Sequence, residues 1–403
     1  MLTDLIQWVE HRPRFKEKVD LKKMQEAASK LGNPHHDFKS IHITGTNGKG
    51  STAHFIHSVL SKQKRVGLFT SPYIIKFNER IQINDEMILD ADLVAYLSFM
   101  KSFIETHEEE TGESFTFFEI MTLMAFKYFS DKQVDYAIIE VGIGGTLDST
   151  NIITPVLSII TSIGFDHENQ LGNNLESILT NKLGIVKENT PLITGVVGFN
   201  ELIEARAKQT HSKVYYLDET KINILTPFPL SFKFEHHTYK PNLQGLYQVN
   251  NATLAIMAVN YLEPKLPIEL IKKGINEAFN PGRFEVVQEN PYIILDGAHN
   301  ESAIKVLIDS IKDIFPNHHK KVLFASMQDK PFEKMLALIK PVTDDIIVTT
   351  ISYHRALNID TLPYKKIKDP MDAFHTLKNT LKENEVLIVT GSLYFVSFIR
   401  SLL

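Results

Sequence analysis

The chain has 403 residues, 43% of them hydrophobic and 23% charged, which excludes extended disorder and fibrous repeats and predicts two or three soluble domains. Lysine and arginine total 43 against 48 aspartates and glutamates, a net charge of −5, so no basic footprint for nucleic acid or an anionic membrane is present and neither is expected as a partner. Cysteine is absent, which removes disulfides, thiolate nucleophiles, cysteine-based zinc sites and iron–sulfur clusters.

Along the chain, Met1 to Lys18 carries Asp4, Glu10, Arg12 and Arg14 where a leader needs an apolar run. The apolar stretches further on are interrupted by Lys127 or Pro155, so a cytoplasmic protein is expected. Ser40–Thr44 reads as a strand, Lys49–Gln63 as a helix and Arg65–Thr70 as a second strand. Phe117–Phe129 follows as an apolar helix, then Asp135–Val141 as a strand and Val156–Ile163 as a strand covered on both faces. Leu175–Lys187 reads as a helix and Pro191–Thr194 as a strand. This alternation predicts a parallel sheet between helices.

Val214–Gln244 is rich in β-formers and interrupted by Pro227, Pro229 and Pro241, which predicts an antiparallel insertion. Helices are expected at Val249–Tyr261 and Pro267–Ala278, and the breaker Asn280-Pro281-Gly282 marks the domain boundary. Beyond it, strands at Tyr292–Leu295, Val322–Ala325, Asp345–Thr350 and Val386–Thr390 predict a smaller parallel α/β domain.

Gly45-Thr46-Asn47-Gly48-Lys49-Gly50-Ser51-Thr52 lies between the first strand and its helix. Glycines let backbone N–H groups close on phosphate oxygens, the helix N-terminus favours an anion, and Lys49 adds a point charge. A hydroxyl in the first turn suits Mg²⁺. The spacing is shorter than that of the common P-loop, with only Thr46 and Asn47 before Gly48-Lys49, so GTPases, kinases and motors match poorly.

Polar groups also follow other strand ends, where open α/β sheets bind ligands: Ser71, Glu140 and the pair Asp166-His167. Oxygen ligands with one imidazole suit Mg²⁺ or Mn²⁺. Leu175, Ile178, Lys182 and Val186 share a helical stripe, so Lys182 either snorkels to solvent or points at the site. The adjacent pairs His35-His36, His236-His237 and His318-His319 diverge on regular elements, and Glu108-Glu109-Glu110 reads as a solvated face or loop.

With these residues in place, the chain resembles the folylpolyglutamate synthase and dihydrofolate synthase branch of the Mur ligase superfamily. The resemblance rests on Gly45–Thr52 (GTNGKGST), Thr70–Arg80 (TSPYIIKFNER), Phe117-Phe118-Glu119, Glu140–Asn151 (EVGIGGTLDSTN), Ser162–His167 (SIGFDH), Asn181–Gly184, Pro281–Glu285 (PGRFE), Asp296–Asn300 (DGAHN) and Gly391–Tyr394 (GSLY). It implies an α/β architecture: a P-loop parallel-sheet ATPase domain with a β insertion over 1–280, followed by a smaller Rossmann-like glutamate-ligase domain over 281–403.

The resemblance further implies a ligase that adds L-glutamate to the γ-carboxylate of folate polyglutamates through an acyl phosphate, and leaves open whether dihydropteroate is accepted as well. Gly45 to Thr52, Asn251, Arg283 and Asp296 would bind ATP, with Lys49, Lys182, His167 and Glu140 serving catalysis. Two Mg²⁺ sites would draw on Ser51, Ser71, Glu140, His167 and a carbamylated Lys182. Phe117, Phe118, Glu119, Leu147, Asp148 and Ser149 would contact folate, and His299 and Ser392 the incoming glutamate. A monomer is implied. The alternatives are a cell-wall ligase acting on UDP-linked precursors and a nucleotide switch without ligase activity.

The chain departs from the family at Thr146, where an arginine is usual, at Tyr247, where a histidine is usual, and at Tyr73, often a histidine. Lys16-Glu17-Lys18-Val19-Asp20 replaces a glycine-rich stretch. These departures lie nearest the implied pterin and adenine contacts.

Overall fold

The computed structural model describes every residue except His354. The chain separates into two compact units, one of Met1–Leu217 with Thr253–Gly274, the other of Asp218–Ala252 with Ile275–Leu403.

The first unit is built on an eight-stranded sheet. Its strands are β1 (Lys39–Thr44), β2 (Val66–Phe69), β3 (Ile81–Ile83), β4 (Glu86–Met87), β5 (Tyr136–Glu140), β6 (Leu157–Ile160), β7 (Leu192–Thr194) and β8 (Val214–Tyr216), in the order β4-β3-β2-β5-β1-β6-β7-β8. The strands from β2 to β8 in that order run parallel, and β3 and β4 extend the sheet as an antiparallel edge. Ile41 and Ile43 of β1 and Ile138 and Ile139 of β5 are fully buried, as continuous apolar strands between two helical layers require. One layer contains helices Asp90–Thr111 and Phe117–Asp131, whose Leu97, Met100, Ile104, Leu123 and Phe126 fill the core. Since β1 lies between β5 and β6, the loops leaving these three carboxyl ends lie side by side.

Two local expectations change. Val214–Tyr216 is not part of the insertion; it pairs in parallel with Leu192–Thr194 and closes the large sheet. Strand β6 stops at Ile160, and Thr161–Gly164 turn away to brace the loop after β1. Glu108–Glu110 are the expected solvated face, carried by the 22-residue helix Asp90–Thr111, with Arg12 and Lys30 paired to Glu108 and Glu110.

In the second unit, β9 (Ile222–Thr226), β10 (Ser231–Phe234) and β11 (His237–Tyr239) form a three-stranded antiparallel sheet, the expected insertion. A six-stranded sheet follows: β12 (Glu285–Glu289), β13 (Tyr292–Leu295), β14 (His319–Phe324), β15 (Ile346–Val348), β16 (Lys365–Lys366) and β17 (Glu385–Thr390), ordered β12-β13-β17-β14-β15-β16. It is parallel except for β12, which pairs antiparallel with β13 and makes the sheet mixed. Glu285–Glu289, with two valines between polar ends and no buried residue, suits an edge strand but carries little apolar signal. Among the described residues no helix is long and apolar enough to cross a membrane.

Candidate active site

The glycine loop takes the backbone form that its sequence demands. Gly48 has φ +85°, left-handed, and caps helix Lys49–Leu60. A Cβ on Gly45 would lie 1.9 Å from Thr161 Oγ1, so the β1 exit admits no side chain. The turn after β6 clamps the loop from below. The Thr46 N–H donates to Ser162 O at 3.0 Å, and the Thr46 hydroxyl donates to Gly164 O at 3.0 Å. Asn47 O accepts from Thr161 Oγ1 at 2.6 Å and Ser162 Oγ at 2.9 Å, while the Asn47 N–H donates back to Ser162 Oγ at 3.0 Å. Lys49 Nζ folds across the loop to Gly45 O at 3.0 Å. Ser51 and Thr52 are buried in the first helical turn. The turn after β6 thus fixes the loop at Thr46 and Asn47, and the N-terminus of helix Lys49–Leu60 that follows favours an anion.

Lys182 is buried, at 3% exposure, so it does not snorkel. The cause is the run after β5, whose glycines admit close packing against helix Leu175–Leu183. Thr44 Oγ1 donates to Gly144 O at 2.5 Å. A Cβ on Gly145 would lie 2.8 Å from Asn181 O and 2.9 Å from Lys182 O. Thr146 donates to Asn181 O through both its N–H and its hydroxyl, each at 2.9 Å, and the Asn151 amide ties Thr146 O to Gly184 O. Thr146, the departure from arginine, therefore helps to hold the helix end that bears Lys182. Burial, reinforced by Lys49, lowers the Lys182 ammonium to about 7, against the opposing pull of Asp166 and Asp148.

Glu140 ends β5 almost fully buried and accepts the Ser71 N–H at 3.2 Å, which joins two of the expected metal-site residues. His167 is exposed in a left-handed conformation ahead of Glu168–Leu171, its ring 3.9 Å from Asp166. Among the described residues no three histidine, aspartate or glutamate side chains gather into a metal group. A divalent ion here needs hydroxyl, phosphate or carbamate oxygens beside Glu140. The donor set fits that requirement, because an amine lowered to about 7 is about half neutral at pH 7, and the neutral form is the one that adds carbon dioxide.

Of the expected folate contacts, Phe118 stacks on Phe69 at 5.6 Å and closes against Gly142, where a Cβ would lie 2.7 Å from its ring. The Phe117 ring is covered by the guanidiniums of Arg14 at 4.3 Å and Arg80 at 4.9 Å. Leu147 is half-buried. Asp148 is engaged internally by the N–H groups of Ile143 and Thr150 and the Thr150 hydroxyl; burial raises its carboxyl against these donors. Glu119 is bound by Lys18, Lys23 and the Thr116 N–H.

Arg80, Lys18, Lys23 and His42 had no role in the sequence reading. Arg80 lies inside the Thr70–Arg80 motif, 5.0 Å from the Tyr73 ring and 5.7 Å from that of Phe77, and this aromatic neighbourhood was its available signal. His42 is buried in β1, kept neutral by burial that lowers it to about 3, and reaches Thr150 Oγ1 at 2.8 Å. Because Thr150 donates to Asp148, His42 donates to Thr150 through Nε2–H.

In the second unit, Asp296 leaves β13 buried and accepts from Tyr247 Oη at 2.5 Å, the Phe284 N–H at 2.9 Å and the Ala298 N–H at 2.8 Å. Burial raises both the Tyr247 phenol and the Asp296 carboxyl, and Arg283 opposes this at each. Tyr247, Asp296 and Arg283 thus form one group. Asn251 holds Gln248 through its amide at 2.8 Å. The ends of β13 and β17 are joined by the Gly391 N–H donating to Ala298 O at 3.0 Å, which places His299 and Ser392 on neighbouring strand exits. His299 Nδ1 lies 2.8 Å from Gly297 O.

Residues 43–259 match the Mur ligase middle domain, and 282–393 the Mur ligase glutamate ligase domain. The chain is 37% identical to the dihydrofolate synthase/folylpolyglutamate synthase of Bacillus subtilis, over 98% of each chain. Its fold matches a Mycobacterium tuberculosis folylpolyglutamate synthase complexed with ADP at a TM-score of 0.91 and 26% identity, covering 100% of this chain and 98% of that one. It matches an FPGS–AMPPCP–folate complex at 0.87 and 30% identity, covering 100% and 99%. The chain belongs to the Mur ligase family, as a carbon–nitrogen ligase of its dihydrofolate synthase/folylpolyglutamate synthase group.

Proposed function

We propose that the chain joins L-glutamate to the γ-carboxylate of tetrahydrofolate and its polyglutamates at the expense of ATP, and that it also ligates glutamate to dihydropteroate. The observation that carries this is the clamped Gly45–Thr52 loop, which lies at the carboxyl end of β1 beside the loops bearing Glu140 and Asp166.

Joining a carboxylate to an amine in water requires an electrophile that a carboxylate is not. Phosphoryl transfer from ATP makes an acyl phosphate, and the glutamate amine displaces phosphate through a tetrahedral intermediate. The amides of Gly45–Thr52 and the Lys49 ammonium bind the phosphates and offset charge developing on the transferred group. Ser51, Ser71, Glu140, His167 and a carbamylated Lys182 would hold Mg²⁺, which when bound supplies further charge stabilisation at the phosphoryl oxygens. Lys182 carries the carbamate because it is buried and its amine, lowered to about 7, is about half neutral near pH 7. Asn251, Arg283 and Asp296 serve the nucleotide, with Asp296 held by Tyr247. Phe117, Phe118 and Leu147 give the folate an apolar wall, Glu119, Asp148 and Ser149 shape it, and His299 and Ser392 bind glutamate. The work divides at 1–280 and 281–403, a reading supported by family matches that end at 259 and resume at 282. The chain acts as a cytoplasmic monomer.

Incorporation of labelled glutamate into tetrahydrofolate and dihydropteroate, run in parallel with ATP, tests the proposal. The expected outcome is glutamate-dependent phosphate release with either acceptor. Turnover of a UDP-linked precursor without folate turnover would instead identify a cell-wall ligase. No glutamate-dependent phosphate release would leave a nucleotide switch.

A further inference from the structure

The stretch Lys16-Glu17-Lys18-Val19-Asp20, which replaces the family's glycines, forms neither helix nor strand, yet its two lysines tie it to other elements. Just ahead of it, Pro13 O accepts the Phe117 N–H at 3.0 Å, and the Arg14 guanidinium lies over the Phe117 ring. Lys16 Nζ reaches Ser114 Oγ at 3.4 Å. Lys18 Nζ donates to Ser149 Oγ at 2.8 Å and pairs with Glu119 Oε1 at 3.3 Å. Lys23 takes the other oxygen of Glu119 at 2.8 Å and also donates to Ser114 O at 2.9 Å.

One ammonium therefore joins the N-terminal stretch, the start of helix Phe117–Asp131 and the loop at Ser149. The charges explain why the junction holds. Glu119 is 1% exposed, and burial alone would raise its carboxyl; Lys18, Lys23 and the Thr116 N–H outweigh burial and keep it ionised below the ordinary range. An ionised carboxylate so deeply placed requires its cations. Lys18 itself keeps 19% exposure, and an ammonium has three donors, two of them used here.

We propose that Lys18 is a positioning and specificity-determining residue for the folate substrate. It fastens the N-terminal stretch as a wall of the folate site and offers its third N–H to a substrate oxygen. The inference rests on the proposed folate role of residues 117–119 and 147–149, and it concerns a residue that this chain carries in place of glycine-rich backbone.

Lys18→Met keeps the aliphatic stem and removes both donors and charge, whereas Lys18→Arg retains them. For Lys18→Met, the KM for tetrahydrofolate is expected to rise about tenfold, with kcat and the KM for ATP within about twofold of wild type, and Lys18→Arg to recover most of the loss. Hydrogen exchange at residues 13–21 and 147–150 is expected to accelerate together in Lys18→Met. An unchanged folate KM, or a fall in kcat and a rise in the ATP KM that accompany a raised folate KM, overturns the specificity role. Unchanged exchange at either segment overturns the fastening. A wild type that ligates no folate overturns the ligase reading, and the exchange measurement then decides the fastening separately.

Discussion

At Lys182 depth and charge oppose one another, and the sign of the resulting pH effect is determined. The ammonium titrates near 7 in the folded chain against 10.5 when unfolded, so between these values the unfolded chain binds the extra proton. Stability due to this group therefore rises as pH increases from about 7 to about 10.5, and the full burial penalty is present below about 7. Lys182→Met removes the penalty. Its thermal midpoint is expected to exceed that of the wild type at pH 6, with the gap closing toward pH 10, while ligation is lost at every pH. Bicarbonate-independent full activity in Lys182→Met would refute the carbamate role. The helical stripe of Leu175, Ile178 and Lys182 showed the direction of this lysine but not its depth. Depth comes from Gly144, Gly145 and Thr146, packed on the helix from a different part of the chain. The Tyr247–Asp296 pair spans 49 positions and was illegible for the same reason: a hydrogen bond between distant residues leaves no local periodicity.

The elements were most legible where their grammar is local. A strand, a glycine turn and a helix announce the loop at Gly45–Thr52, and continuous apolar residues announce β1 and β5. An apolar run does not reveal where pairing stops, so Thr161 to Ile163 read as strand although they leave β6 to brace the loop. Val214–Tyr216 read as insertion because β-formers look alike whichever sheet they join. The brace makes a prediction of its own. Ser162→Ala removes the hydroxyl that both donates to and accepts from Asn47. With about 1 kcal/mol lost from the loop, the KM for ATP is expected to rise about fivefold, with little change in the KM for glutamate. An unchanged ATP KM would show that the brace is dispensable for nucleotide binding.

For the whole molecule, the two units are not two successive stretches of chain. Residues 218–252 cluster with 275–403, and within that second unit Phe228 meets Tyr292 and Phe315, each at 5.8 Å between ring centroids. A fragment of residues 281–403 lacks Phe228 and Tyr247 and so uncovers part of the core around Phe315. It is expected to bind a hydrophobic dye and to unfold with lower cooperativity than the intact chain. Cooperative unfolding without dye binding would show that residues 218–252 are dispensable for that core. Composition and breaker residues could not reveal this arrangement, since they mark where a chain turns and not which stretches pack together.

The discontinuity also acts while the protein is being made. The three-stranded sheet ends at Tyr239, but Phe315, which covers Phe228, leaves the ribosome only after the intervening residues have been added. At about 5–20 residues per second, that delay is roughly 4–15 s. Until both Tyr292 and Phe315 have emerged Phe228 lacks its full set of partners, so the nascent chain carries an apolar surface for an interval that slow translation prolongs.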